Sequence, residues 1–375
     1  MKKLFFFTIL LIFFWAPFVA VAADVPETGA PPVQDDEFFR AKVVKILQEN
    51  ETQEFGQSVI SQNVKVEILQ GPDKGTQVEF IHEVSTQKQD QKLNEGEKII
   101  VGKNIENHDQ SYYFSDKYRL NALWSIFGFF FVLTLVLAGR QGLRAFIGLV
   151  LSFGIIGFAM IPLILKGWSP LPICFIGAIA IAGTTLYVAH GFKMRTTVAL
   201  MSILVTLGLA AILSFVFVVG AKLFGLGSEE AFLLQLADDT ILINMRGLLL
   251  GGILIGTLGV LDDVTTAQAA TVEEIHKANR SLGFSELYAR GISVGKEHIV
   301  SLVNTLVLAY TGASFPLLLL FSFYQKPVWT TLNSEIMAEE IVRMLVGSVA
   351  LMCAVPIVTA LAAAIFSHDK EVKHA

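Results

Sequence analysis

The chain has 375 residues, 53% hydrophobic and only 16% charged, with a net charge of −5 and a mean hydropathy of +0.60. Soluble domains carry roughly 25% charged residues, so this balance excludes an ordinary soluble protein and points to membrane residence. The lysines and arginines form no basic stripe, which argues against a nucleic-acid partner. Cys174 and Cys353 both fall in apolar runs, so no disulfide-stapled polar domain and no cysteine metal centre is expected.

Residues 1–22 read as an export signal: Lys2 and Lys3 precede an apolar core, and Ala20-Val21-Ala22 offers small residues for cleavage. Cleaved signal or uncleaved anchor, either form delivers the residues after it to the outer side. Residues 23–37 are acidic and proline-rich, as a flexible linker would be.

Residues 38–116 change character. Stretches 39–47, 59–69, 77–82 and 98–101 alternate apolar with polar residues at period two, the pattern of half-buried strands. Gly71-Pro72-Asp73-Lys74-Gly75 reads as a hairpin turn, and Asn94-Glu95-Gly96-Glu97 as a second turn. The expectation is a small exported all-β domain, a barrel or sandwich of which the OB type is one form. His82 and His108 lack partners at metal-ligand spacing and read as surface or strand-edge histidines. The domain reads as an interaction or gating module.

Residues 120–366 hold about seven apolar runs, each near the roughly 20 residues that cross a bilayer. They lie at 120–138, 145–165, 171–189, 196–224, 241–261, 299–323 and 341–366, and residues 367–375 form a tail. With the β domain outside, the inner loops hold Arg140, Arg144, Lys193, Arg195, Lys277, Arg280, Arg290 and Lys296. The outer ones hold Glu229, Glu230, Asp238, Asp239, Glu335, Glu339 and Glu340, so the positive-inside rule is met and the tail is cytoplasmic. Trp124, Trp168 and Trp329 fall at membrane boundaries, and Gly247-xxx-Gly251 and Gly252-xxx-Gly256 suit close helix packing. Ser228 caps an expected short surface helix over 228–239.

Asp262-Asp263 abuts a membrane-length run, where carboxylates are expensive. Either they are loop charges just outside the bilayer, or they line a polar path through it. The next residues, 264–272, carry no charge, so the helix either continues as an arm or breaks at the acids and re-enters. Glu297, Ser301, Asn304 and Thr305 recur at helical spacing and share one side, expected to face the bundle interior. Were the Asp pair to approach that side, carboxylates, an amide and hydroxyls would surround a small polar cavity suited to a proton or a cation.

The stretches Gly256-Thr257-Leu258-Gly259-Val260-Leu261-Asp262-Asp263-Val264, Glu273-Glu274-Ile275, Gly291-Ile292-Ser293-Val294-Gly295-Lys296-Glu297-His298 and Asn304-Thr305-Leu306-Val307-Leu308-Ala309-Tyr310-Thr311-Gly312 resemble the YibE/F-like family of bacterial multispan membrane proteins. The resemblance implies an exported β domain followed by several membrane helices; with the seven runs above, the expected fold is a membrane all-α helical bundle of about seven helices in a bacterial cytoplasmic membrane. Gly295-Lys296-Glu297 stands where the family often has Gly-Arg-Asp, so a site needing Asp geometry or a bidentate arginine is not carried over.

The expected function is a transporter or permease component using Asp262, Asp263, Glu297, Ser301, Asn304 and Thr305 as an ion or substrate path. The alternative is a non-catalytic scaffold or accessory protein acting through its β domain. No enzymatic motif appears: there is no zinc-binding His-Glu-x-x-His, no nucleophile elbow, no aspartyl-protease Gly-x-Gly-Asp and no phosphate-cradling glycine loop. No cofactor is implied. The expected partners are the lipid bilayer and another membrane subunit or an envelope protein.

Overall fold

The structure, a computed structural model, describes residues 37–54, 57–85, 91–104, 111–237, 243–324 and 327–368. The expected signal, most of the linker, His108, Asp238-Asp239 and the tail from 369 lie outside these residues. The chain divides into two compact units between Trp124 and Ser125.

The first unit is one antiparallel sheet of β1 (Glu37–Glu54), β2 (Gln57–Ile68), β3 (Gln77–Ser85), β4 (Lys98–Asn104) and β5 (Ser111–Lys117), ordered β3-β2-β1-β4-β5. The four strands expected from alternation are present; β5, whose polar and aromatic residues do not alternate cleanly, is an addition. Register shifts along β1 at Val43/Lys45 and Ile46/Gln48 bend the sheet into a half-barrel. The curl brings its two edge strands together, with the rings of His82 on β3 and Phe114 on β5 4.4 Å apart. The concave face holds Ala41, Val43, Val64, Val66, Phe80, Ile99 and Val101, all buried, at the period of two that a pleated strand imposes.

Turn chemistry agrees with the sequence. Gly71 has φ +89, and a β-carbon there would lie 2.6 Å from the Phe39 ring, so both backbone and space demand glycine. Two polar groups inside this unit are paired. The Gln62 amide, 1% exposed, donates to Leu93 O at 3.3 Å and accepts from Leu93 N at 3.0 Å, pinning the β3–β4 connection like an extra strand rung. Asp73 in the hairpin turn accepts from Lys103 Nζ at 2.8 Å and from the Tyr112 hydroxyl at 3.0 Å. Those two donors, Lys103 first, hold the Asp73 carboxyl below the usual carboxylate range.

The second unit is helical. Its elements are α1 (Leu120–Ile155), a π turn (Ile156–Met160), α2 (Ile161–Leu165), α3 (Pro170–His190), α4 (Met194–Gly220), α5 (Glu229–Ala237), α6 (Met245–Ala278), α7 (Phe284–Ala313), α8 (Phe315–Phe323), α9 (Val328–Leu332) and α10 (Glu335–His368). Among the described residues six elements are long and apolar enough to cross a membrane, against the seven runs expected. The difference lies in α1, counted with α2 as one stretch of 46 residues. That stretch is broken at Gly139, whose φ of 53 and ψ of −131 are non-helical. Beyond the break the chain folds back, because the Phe146 ring meets Phe131 at 4.7 Å and Phe127 at 5.4 Å. A straight helix would separate residues 131 and 146 by about 22 Å.

The core of the unit is α10, packed against α4, α6 and α7. Small residues bring the helices close. A β-carbon on Gly251 would lie 2.5 Å from Cys174 Sγ on α3, while Gly252 meets nothing. The first of the two expected glycine pairs is therefore a packing face. Ser228 caps α5 as expected, its hydroxyl accepting from Ala231 N at 3.1 Å. Glu335 and Glu339, expected in an outer loop, stand in the first turns of α10 and clamp the segment before α5. Glu335 accepts from Phe224 N at 2.7 Å, and Glu339, 4% exposed, accepts from Gly227 N at 3.0 Å.

Candidate functional site

The question left open at Asp262-Asp263 has a structural answer: α6 continues without a break to Ala278. Its 34 residues span about 51 Å, well beyond the roughly 30 Å of hydrocarbon in a bilayer. Leu258, Leu261, Thr265, Gln268 and Val272 turn into the bundle. Asp262, Thr266 and Ala270, four residues apart, form a different face.

That face lines a cavity of about 320 Å³. Asp263 joins it from α6, His190 comes from the last turn of α3, Arg195 from the first turn of α4, and Gln141 from just past the Gly139 break. Ala267 and Ala270 leave the space open. Two side-chain atoms of the lining residues are buried without a protein partner among the described residues: Asp262 Oδ1 and Thr266 Oγ1. Each such atom costs about 1–3 kcal/mol if nothing meets it. Two on one stretch of α6, beside His190 and Arg195, make this half-open cavity a polar patch in an otherwise apolar unit.

The rim is positively braced. Arg195 donates to Glu273 Oε2 at 3.3 Å, and Lys277 lies 3.3 Å from the other Glu273 oxygen. Glu273 thus holds Arg195 beside Asp262 and Asp263 without leaving it free to pair with them alone. Among the described residues no group of three or more His, Cys, Asp and Glu side chains could hold a metal ion.

The remaining residues expected in the path are not part of this cavity. Glu297, Ser301, Asn304 and Thr305 do share one side of α7, but that side is exposed, whereas Ile299, Leu302, Val303, Leu306 and Tyr310 turn toward the bundle. The expected inward orientation is corrected by the apolar residues opposite, which are larger in buried area and claim the bundle side. Gly291 and Gly295, between them and the α7 start, are packing residues: a β-carbon on Gly291 would lie 2.7 Å from Thr359 Cγ2, and one on Gly295 would overlap Val355. Sequence reading missed His190, Gln141 and Thr266 as cavity residues. The available signals were a histidine ending an apolar run and an amide directly after the Gly139-Arg140 break.

A half-barrel sheet followed in one chain by six helices long and apolar enough to cross a membrane, among the described residues, with a polar cavity lined from α1, α3, α4 and α6, is the architecture these residues define. The YibE/F-like protein family model matches residues 126–368, and the chain belongs to that family. No curated protein and no solved structure matches it.

Proposed function

We propose that the chain is a transporter or permease component whose path for a proton or small cation runs through the cavity at Asp262. The carrying observation is the pair of unpartnered buried atoms on Asp262 and Thr266, set with His190 along one half-open cavity of an apolar bundle. A carboxyl, an imidazole and a hydroxyl are groups that can accept and release a proton or replace part of a cation's hydration. Asp262 is the central ligand, Thr266 and His190 relay or orient, and Arg195 sets the local field.

In this reading the hairpin at Gly139 makes two passes, giving seven, with the β unit outside and the C-terminus cytoplasmic. Gln141, His190 and Arg195 then fall at the inner ends of their membrane passes, level with Asp262 on α6, which agrees with the orientation drawn from the loop charges. Asp262 lies 17 positions after Met245, about 26 Å along α6, so it would sit at the inner margin of the hydrocarbon. The β unit, whose order puts β1 between β2 and β4 and brings β3 to β5, fits a partly open OB-like barrel serving as an outer lid or capture element.

The test is flux in proteoliposomes holding the purified full chain, followed with a pH-sensitive dye and with cation gradients. Proton or cation movement that Asp262→Asn abolishes, with the variant still inserted, is the expected result. Absence of any gradient-driven flux in the unaltered protein sinks the transport reading and favours the accessory one, in which the β unit binds an envelope partner.

A further inference from the structure

The exposed side of α7 carries a row that a lipid-facing helix should not have. Glu297, Ser301, Asn304, Thr305, Leu308 and Gly312 recur at the three- and four-residue steps of one helix face, and all are exposed. Only 11% of the apolar window of α7 is buried, against 56% for α6 and 50% for α10. Thr305 satisfies its hydroxyl by donating to Ser301 O at 3.0 Å. Asn304 has no hydrogen-bond partner among the described residues, although it lies about 10 Å along the helix axis from Glu297, inside the apolar stretch. An amide against hydrocarbon is costly, so this face requires a polar cover within the bilayer.

We infer that the cover is a second copy of this chain, the two α7 helices packing side by side about a two-fold axis along the membrane normal. Such an axis sets each residue opposite its own equivalent at the same depth. The row suits that arrangement. A carboxamide holds both donors and an acceptor, so two Asn304 side chains pair reciprocally, and one Ser301 hydroxyl donates to the other. Gly312 lets the helices approach closely at the far end. Glu297, the one residue that would repel its equivalent, is preceded in sequence by Lys296, which supplies opposite charge beside it. A lone heterologous helix would need matching groups; the row already matches itself. This inference rests on bilayer insertion of α7 and not on transport.

The experiment uses the full chain in native membranes, with Cys174 and Cys353 replaced by alanine and single cysteines introduced by Ser301→Cys, Asn304→Cys, Leu308→Cys, Leu302→Cys or Val303→Cys. Mild oxidation should join the first three into disulfide dimers of twice the chain mass and leave the last two monomeric. In lipid nanodiscs, Asn304→Leu should weaken the dimer about three- to tenfold, the effect of one interhelical hydrogen bond, while Asn304→Gln keeps it. Cross-linking on both faces alike, on neither, or to a different protein overturns the proposal, as does a dimer indifferent to Asn304→Leu. Alkaline carbonate washing of the same membranes separates the two ways to fail. A chain that washes out overturns insertion itself, whereas one that stays embedded without cross-linking overturns the dimer alone.

Discussion

The amide of Gln268 on α6 donates to the hydroxyl of Thr359 on α10 at 2.8 Å and, with its second hydrogen, to Gly291 O on α7 at 2.9 Å. One buried side chain thus ties three helices at a level where Gly291 and Gly295 let them touch. Gln268 lies on the opposite flank of α6 from Thr266, so the helix that lines the cavity is anchored from behind. Gln268→Leu is expected to cost about 1 kcal/mol, the scale of an interhelical hydrogen bond. Gly295→Leu should cost more, because its side chain would enter the space of Val355. Thermal unfolding in detergent measures both, and equal midpoints for Gln268→Leu and the unaltered chain would remove the anchor.

Neighbouring carboxylates should behave differently. Asp262 is partly buried with one oxygen unpartnered, whereas Asp263 is exposed at the cavity edge. Asp262→Asn is expected to lower flux by at least about 100-fold, the scale of losing a proton-transfer group. Asp263→Asn is expected to change rate or ion preference by less than about tenfold, an effect of about 1.4 kcal/mol on the path. Initial rates in proteoliposomes at matched protein density decide it, and an equal loss in both variants would make the pair one shared site.

The hairpin in α1 hinges on Gly139. Its φ of 53 with ψ of −131 is a backbone state that side chains with a β-carbon resist, so Gly139→Ala should cost about 1–3 kcal/mol. The second consequence is positional, since Gln141 reaches the cavity only because the chain turns there. Gly139→Ala is therefore expected to reduce flux along with stability, read as a lower unfolding midpoint and a lower initial rate in the same preparation. Gly128→Ala, where nothing lies within 4 Å of an added β-carbon, should do neither.

His82 gives the β unit a pH response. Burial pushes its pKa below the ordinary imidazole value, against a smaller opposing effect from the Gln91 carbonyl, 3.2 Å from Nε2. A depressed value means the folded state holds the ring neutral while the unfolded chain binds a proton. Stability is then full above the ordinary value of about 6.5 and is lost as pH falls through the lower folded value. Proteolysis of the β unit in the intact protein should accelerate on acidification across that window, and His82→Phe should flatten the response. An unchanged acid profile in that variant would assign the effect elsewhere.

Much of this architecture was legible because apolar period and turn chemistry are local. Alternation marked β1 to β4, and Gly71 and Gly75 announced their hairpin. β5 escaped because Tyr112, Tyr113 and Phe114 sit on the sheet's edge, where both faces tolerate aromatics. The glycine at 139 was invisible as a hinge, since a φ above zero depends on where the following helix docks. Asp262 and Asp263 were found by their cost in an apolar setting. His190 and Gln141 were not, because only folding brings three chain segments to one cavity. The α7 face was read correctly as a row and assigned the wrong direction, since spacing defines a side of a helix but not what lies beyond it.

The order of synthesis adds a last point. The helix at the centre of the unit, α10, is near the end of the chain, and its Glu335 and Glu339 hold the backbone of Phe224 and Gly227 more than a hundred residues earlier. The faces that α4, α6 and α7 turn toward α10 are therefore complete in the chain before the helix that covers them has been made. A chain ending before residue 335 would leave those three faces uncovered and the backbone of Phe224 and Gly227 without its carboxylate clamp.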